Sequence, residues 1–491
     1  MNKGNICVSI CATTAEEIAT KVNAAEQYAD LIEIRFDCIS PDQMEIVLRG
    51  IASSVPLMAT YRSIEQGGNS SASVKNRRAF WSTIPENGYS TIDLEADIFS
   101  SVMTDRKRIL SFHDHNGVPA DIHDIASRMR ETDAELIKIA VTAGDAVDAI
   151  PIWKLLQKDT RVIPIAMGEA GKWTRILALA HGAYLTYASL QAGSETAHGQ
   201  VTARDLREIY RIKDLDLTTK VYGVIGHPVA ESKSPYLHNP AFASAGINSV
   251  FIPLEVKDLT AFITRMVRPG TRELELNFAG FSVTMPHKRS IMQHLDEVDP
   301  VASSIGAVNT VKVYDGKLLG FNTDAHGFIT PLKEHFGSVH GVRAAVIGAG
   351  GAARASIYAL KADDADVTVL ARDVKKASDL AQKFEVRSGP LDDAKPSDFD
   401  IIVNATPLGM RSGDESIFTA RELKGVKFVY DLVTRTSDTL LVQEAKRAGV
   451  AAIGGLEMLI SQAEMQFEIW TGQKPAAGIM KASIHSRLGV E

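Results

Sequence analysis

Eight short apolar runs recur through the first 218 residues, separated by helix-like stretches, and no other feature of the chain restricts its fold as strongly. They are Ile6 to Ile10, Leu31 to Phe36, Leu57 to Tyr61, Thr91 to Leu94, Arg108 to Ser111, Leu136 to Val141, Val162 to Met167 and Leu185 to Tyr187. Each is too short for a buried helix, and a strand covered on both faces reads as such a run. Eight strand–helix repeats predict an α/β architecture, a (β/α)8 TIM barrel, over residues 1–218. Chemistry in such barrels gathers at the C-terminal ends of the strands, so polar residues in or just after the runs become candidates: Glu33, Arg35, Arg62, His113 and Lys138.

The chain has 491 residues, room for roughly three units at about 150 residues each. The polar stretch from Arg211 to Lys220 reads as a linker, after which Val221 to Gly226 opens a new strand and glycine turn. Ala344 to Arg354 opens a further strand–helix pattern, which sets a second boundary near residues 325–340. The expected division is 1–218, 219–328 joined by C-terminal helices at about 465–491, and 329–464. Lys and Arg number 53 against 60 Asp and Glu, a net charge of −7, so no basic surplus is available for nucleic acid or an anionic membrane. Small molecules are the expected partners. The three cysteines, Cys7, Cys11 and Cys38, are odd in number and show no zinc spacing, and they read as reduced thiols. The N-terminus lacks a signal-peptide pattern and no run approaches the roughly 18 apolar residues of a membrane span, so a cytoplasmic protein is expected.

Lys138 interrupts the apolar strand Leu136 to Val141. It reads either as a strand-end lysine reaching solvent or as a buried amine. In the second case desolvation disfavours the ammonium form, and the neutral amine can attack a ketone to form an iminium ion that acidifies the neighbouring C–H bond. His113 follows another strand and could move that proton. The segments Leu31 to Asp37, Thr60 to Ser63, Ser111 to Asp114, Lys138 to Ala140, Met167-Gly168 through Arg175 and Ala197 to Gln200 occur in the order of type I 3-dehydroquinate dehydratases, and the first half resembles that family. The resemblance implies a Schiff base at Lys138, general base and acid chemistry at His113, and a site lined by Glu33, Arg35, Arg62, Arg175, Thr196 and Gln200. Arg175 suits a substrate carboxylate. Gln66 stands where the family usually has Glu and Thr196 where Ser is common, so one charge is lost and one hydroxyl kept.

In the second half, Val346 to Ala353 fits G-x-G-x-x-G/A between a strand and a helix, with Gly348, Ala349, Gly350, Gly351, Ala352 and Ala353 as the expected dinucleotide turn. After the next strand Arg372 stands where an NAD site wants an acid; with Lys376 it favours a 2′-phosphate, hence NADP(H), and Asp373 is the counterweight. The ordered segments Gly226 to Pro235, Ser282 to Lys288, Gly306 to Thr310, Gly320 to Asp324, Asn404 to Met410 and Gly455 to Ala463 resemble shikimate dehydrogenases over residues 220 to about 485. That resemblance implies a two-lobed α/β unit, Lys288 and Asp324 as the catalytic pair, Ser232, Ser234, Thr284, Asn309, Thr323 and Gln462 on the substrate, and Thr406 and Gly455 at the cofactor. Thr434 stands where this family often has Tyr. A ketone accepting hydride develops alkoxide charge, and a lysine held by a carboxylate can protonate it without a metal.

The product of the first reaction, 3-dehydroshikimate, is the ketone of the second. The whole chain therefore resembles fused dehydratase–dehydrogenases that convert 3-dehydroquinate through 3-dehydroshikimate to shikimate, in the biosynthesis of aromatic amino acids. A catabolic quinate/shikimate dehydrogenase and a non-catalytic regulatory homologue are the alternatives.

Overall fold

The computed structural model describes residues 4–85, 88–411, 413–435 and 437–488, so residues 1–3, on which part of the N-terminal reading rests, lie outside it. All eight expected strands are present: β1 (Asn5–Ile10), β2 (Leu31–Arg35), β3 (Leu57–Thr60), β4 (Thr91–Glu95), β5 (Lys107–Asp114), β6 (Leu136–Thr142), β7 (Val162–Met167) and β8 (Leu185–Ala188). They form one parallel sheet that runs from β7 through β6 down to β1 and on to β8, a near-closed barrel.

Strand periodicity explains the barrel's interior. Side chains two apart share a face. Cys7, Leu31, Met58, Ile109, Leu136, Ile163 and Leu185 pack together as an apolar floor. Two residues further along six of those strands stand Ser9, Glu33, Thr60, Ser111, Lys138 and Ile165, so the same alternation that seals the floor carries polar groups up to the mouth. The strands are buried on both faces, which is why they read as runs rather than as alternating sequence.

One expectation is corrected here: the cysteines are not all free thiols. Cys11 and Cys38 form a disulfide across Cα atoms 5.4 Å apart, and only Cys7 is free and buried. Parallel pairing of β1 with β2 sets the segments that follow them side by side, a proximity that a count of cysteines does not report.

Contacts divide the chain into two compact units, Met1–Pro235 with Asn248–Phe278, and Tyr236–Ile247 with Ala279–Glu491. In the first, beyond the barrel, β9 (Lys220–Gly226) pairs in parallel with β10 (Ser249–Glu255). The second contains β11 (Phe278–Val283) almost entirely, followed by β12 (Glu297–Val298), β13 (Thr310–Tyr314) and β14 (Lys317–Phe321). There β13 is antiparallel to both β11 and β14, while β12 runs parallel to β14.

A fully parallel sheet of β15 (Arg343–Ile347), β16 (Asp366–Ala371), β17 (Arg387–Pro390), β18 (Ile401–Asn404), β19 (Phe428–Asp431) and β20 (Ala451–Gly454) completes the second unit. Its order, β17-β16-β15-β18-β19-β20, reverses direction at β15, and the crevice at such a switch point is where doubly wound sheets bind nucleotides. The helix Gly455–Thr471 then returns to β13, where Trp470 Nε1 donates to the Val311 carbonyl at 3.0 Å.

Candidate active sites

The barrel mouth gathers every first-half candidate. Glu33, Arg35, Arg62, His113, Lys138, Arg175, Thr196 and Gln200 line one cavity together with Ser9, Gln66, His115 and Tyr187. Lys138 comes up from β6 into a nearly closed environment, its Nζ 3.1 Å from Asp93 Oδ2 and 4.2 Å from the centre of the Tyr187 ring. Burial pulls the Lys138 amine below its ordinary value, with Asp93 opposing and Arg62 assisting.

Asp93, on β4, is the residue that sequence reasoning passed over. It accepts from Ser111 Oγ at 2.6 Å and pairs with Arg62 Nη2 at 2.7 Å while holding Lys138. Burial alone would raise its carboxyl, but Arg62, Lys138 and the Ser111 hydroxyl bring it down to about 2. The signal was present, since an acid within the run Thr91 to Leu94 is as anomalous as the lysine in β6.

His113 is oriented by Gln66. One amide oxygen, Gln66 Oε1, lies 2.9 Å from the His113 backbone N and 3.1 Å from His113 Nδ1. A backbone N–H can only donate, so the oxygen must face it; the proton then sits on Nδ1 and Nε2 keeps its lone pair. Burial lowers the imidazole well below its ordinary value, and Arg62, Lys138, Arg35 and His115 add to this. The neutral base form is therefore favoured. The neutral amide at position 66 supplies orientation without a countercharge.

Arg175 is the least compensated group in the cavity. It is 1% exposed, Nη1 donates to the Tyr187 carbonyl at 3.4 Å, and Nε and Nη2 have no partner among the described residues. Burial brings its guanidinium down to about 10. A buried cation with two open donors is a seat for a carboxylate. By contrast Arg35 is held bidentately by Asp37, at 2.8 and 2.7 Å, and Glu33 accepts from the Ser9 hydroxyl and from Thr60 Oγ1 at 2.7 Å. Thr196 and Gln200 bond each other, with Gln200 Oε1 2.9 Å from the Thr196 backbone N.

In the second unit, Lys288 Nζ lies 2.5 Å from Asp324 Oδ2. The other carboxylate oxygen accepts from Asn309 Nδ2 at 2.8 Å, and Asn309 Oδ1 in turn accepts from the Thr323 backbone at 2.8 Å. Gln462 Oε1 closes the cluster at 3.4 Å from both Asn309 Nδ2 and Thr323 Oγ1. Gln466 and Asn322, not singled out from sequence, brace it: Gln466 Nε2 donates to Thr310 Oγ1 at 2.9 Å, and Asn322 Oδ1 accepts from the Asp324 backbone at 3.0 Å. Thr284 is half-buried just past β11. Ser232 and Ser234 follow β9 in the other unit, with Ser232 Oγ 3.4 Å from the Ser234 backbone N. Thr434 is half-buried beyond β19.

The cleft at the switch point is lined by Gly348, Ala349, Gly350, Gly351, Arg372, Lys376 and Thr406, and also by Arg289 and Arg354. Gly348 has φ +116°, and a Cβ there would lie 2.9 Å from the Ala405 carbonyl, so the turn needs glycine. Three of the expected cofactor residues fall outside the lining. Ala352 and Ala353 belong to the following helix, Ala353 in its core packing, and Gly455 lets the helix that it opens approach the Leu432 carbonyl. Asp373 caps the next helix, accepting from the Lys376 backbone, and pairs with Lys376 Nζ at 3.2 Å. The glycine turn at the start of its helix and Arg372, which has no ion pair among the described residues, fit a dinucleotide bearing an extra phosphate.

Such a barrel joined to such a dehydrogenase unit defines an enzyme class, a lyase with a pyridine-nucleotide-dependent oxidoreductase in one chain. The type I 3-dehydroquinase family matches residues 6–216, the shikimate dehydrogenase substrate binding domain 224–311, shikimate/quinate 5-dehydrogenase 331–428, and the shikimate 5′-dehydrogenase C-terminal domain 455–485. A chloroplastic bifunctional 3-dehydroquinate dehydratase/shikimate dehydrogenase of Arabidopsis thaliana is 34% identical over 96% of this chain and 82% of its own length. A shikimate dehydrogenase crystal structure in complex with NADP+ is 40% identical, covering 56% of this chain and 97% of its own, with a TM-score of 0.52. That of Thermus thermophilus with NADP(H) and shikimate is 36% identical over 55% and 100%, TM-score 0.50. The chain belongs to the bifunctional 3-dehydroquinate dehydratase/shikimate dehydrogenase family. It is a shikimate-pathway enzyme with both activities.

Proposed function

We propose that residues 1–218 dehydrate 3-dehydroquinate through a Schiff base on Lys138, and that 219–328 with about 465–491, together with 329–464, reduce the product to shikimate with NADPH. The observation that carries the reading is the buried Lys138 amine, held below its ordinary value beside a neutral His113 and the unpaired Arg175.

The neutral amine adds to the C3 ketone, and the carbinolamine so formed takes up one proton from solvent and loses its oxygen as water, leaving an iminium ion; the final hydrolysis returns that proton. That cation makes the C2 proton acidic, and His113 Nε2 takes it. Electrons from C2 form the C1–C2 double bond as the C1 hydroxyl leaves with the proton from His113, as a second water. Hydrolysis of the iminium returns Lys138 and frees 3-dehydroshikimate. Arg175 holds the carboxylate throughout, and Glu33, Arg35, Arg62, Thr196 and Gln200 hold the hydroxyls and carbonyl.

In the second reaction bound NADPH supplies a hydride to the ketone carbon. Thr284, Asn309, Thr323 and Gln462 orient the ring. Lys288, paired with Asp324, donates its proton to the ketone oxygen as alkoxide charge develops. Gly348 to Gly351 and Thr406 receive the cofactor, and Arg372 with Lys376 selects the 2′-phosphate.

The test is NADPH consumption by the full chain supplied with 3-dehydroquinate alone, because only the two reactions in series connect those reagents. Lys138→Ala should abolish it, with a loss of at least about a thousandfold, while reduction of added 3-dehydroshikimate persists. Loss of both activities in that variant would refute the assignment. A higher kcat/KM for NADH than for NADPH would overturn the cofactor reading.

A further inference from the structure

The cleft at β15 carries two cations that the reaction as described does not use. Arg289 directly follows Lys288, and Arg354 sits in the first turn of the helix Gly351–Ala362; both line the cleft alongside the glycine turn. Neither forms an ion pair or a side-chain hydrogen bond among the described residues. Arg289 is exposed and Arg354 half-buried. They are close enough to feel each other's charge, since burial and then Arg289 lower Arg354, and burial, Arg354 and Arg289 in that order lower Lys383.

The available carboxylates do not relieve this. Asp373 is occupied by Lys376 and by capping its helix, and Asp379, the other acid lining the cleft, pairs with neither arginine. Lys383 is anchored on the far side, its Nζ 2.8 Å from the Ile305 carbonyl. Like charges gathered without a countercharge are unfavourable until an anion arrives. The segment bearing Arg289 also lies against the turn, because a Cβ on Gly351 would be 3.2 Å from Lys288 Cδ.

We infer that Arg289, with Arg354, binds the diphosphate of the dinucleotide beside the glycine turn, so that the segment carrying the proton donor Lys288 itself holds the cofactor. This rests on the NADP reading above but assigns a different part of the molecule: Arg372 and Lys376 serve the 2′-phosphate, Arg289 and Arg354 the diphosphate. NADP+ and NAD+ share a diphosphate and differ in the 2′-phosphate, which separates the two assignments. Each arginine that makes a charge-assisted bond to phosphate is worth about a tenfold change in affinity or more.

The experiment is equilibrium titration of the full chain with NADP+ and with NAD+, followed by tryptophan fluorescence or calorimetry, without turnover. Arg289→Gln should weaken both by the same factor, roughly tenfold, and Arg289→Lys should recover part of the loss. Arg372→Gln should weaken NADP+ alone. Unchanged affinity for both dinucleotides in Arg289→Gln would overturn the proposal, and so would a loss confined to NADP+, which would move Arg289 to the 2′-phosphate. Failure of the NADP reading looks different: the parent chain would bind NAD+ as well as NADP+, and Arg372→Gln would change neither. A thermal melt identical to the parent's checks that Arg289→Gln, at an exposed position, is folded.

Discussion

At the scale of single residues, the barrel site trades stability for binding. Arg175 holds a charge out of water with two donors unsatisfied, a cost borne by the free enzyme and relieved when a carboxylate arrives. Arg175→Met should therefore raise the melting temperature of the free protein, by about 2 kcal/mol of stability, and raise KM for 3-dehydroquinate roughly a hundredfold. A thermal melt and a Michaelis curve on one preparation check both signs; a lower melting temperature would mean that the guanidinium is better solvated than its burial indicates. Because burial and the surrounding cations hold His113 well below its ordinary value, the limb of dehydratase kcat/KM that reports His113 should fall below pH 6.5, the ordinary histidine value, rather than above it. Gln66→Glu adds a carboxylate beside His113 and should move that limb upward.

At the scale of elements, the bridge between Cys11 and Cys38 ties the segment after β1 to the turn after β2. That turn carries Asp37, which holds Arg35 and accepts from the Arg62 backbone at 3.2 Å. The two cysteines are 27 residues apart, and closing a loop of that length in the unfolded chain corresponds to about 3 kcal/mol. Reduction should lower the melting temperature accordingly, and Cys11→Ser should make the melt indifferent to reductant. Mass spectrometry of alkylated protein reads how much of the bridge is formed. Gly348 makes the corresponding point in the second unit. Alanine there would meet the Ala405 carbonyl at a positive φ, so Gly348→Ala should cost about 1–3 kcal/mol and cofactor affinity together.

At the scale of the whole molecule, buried histidines make stability sensitive to acid. His238 is fully buried against Trp470, ring centres 5.1 Å apart, and burial lowers it to about 3 despite a hydrogen bond with Gln466. The unfolded chain takes up that proton near pH 6.5 and the folded chain only near 3. The stabilisation is thus complete above pH 6.5 and is lost as pH falls towards 3, on the order of 5 kcal/mol for the full interval. Reductase activity should fall after brief exposure to pH 4, and His238→Phe should protect it. Separate assays after neutralisation measure it. Among the described residues no helix is long and apolar enough to cross a membrane.

Much of this architecture was legible in the chain itself. A run of apolar residues reports that a strand is covered on both faces, and its place in the barrel singled out Glu33, Arg35, Arg62, His113 and Lys138; Arg175, Thr196 and Gln200, which line the same cavity, were legible only through the family resemblance. The turn around Gly348 was legible because a backbone turn needs particular residues at fixed offsets, whereas Lys288 was legible only through the family resemblance. Partnership was not legible. Nothing local indicates that Asp93 holds Arg62 and Lys138, that Cys11 meets Cys38, or that Arg289 shares a cleft with Arg354, 65 positions away. Local periodicity sets the direction in which a side chain leaves its own backbone, whereas its neighbours are chosen when distant segments close on one another. Sequence alone therefore determined the strands, the turn and the types of chemistry carried; tertiary structure decided which charges are paired and which are left open for a ligand.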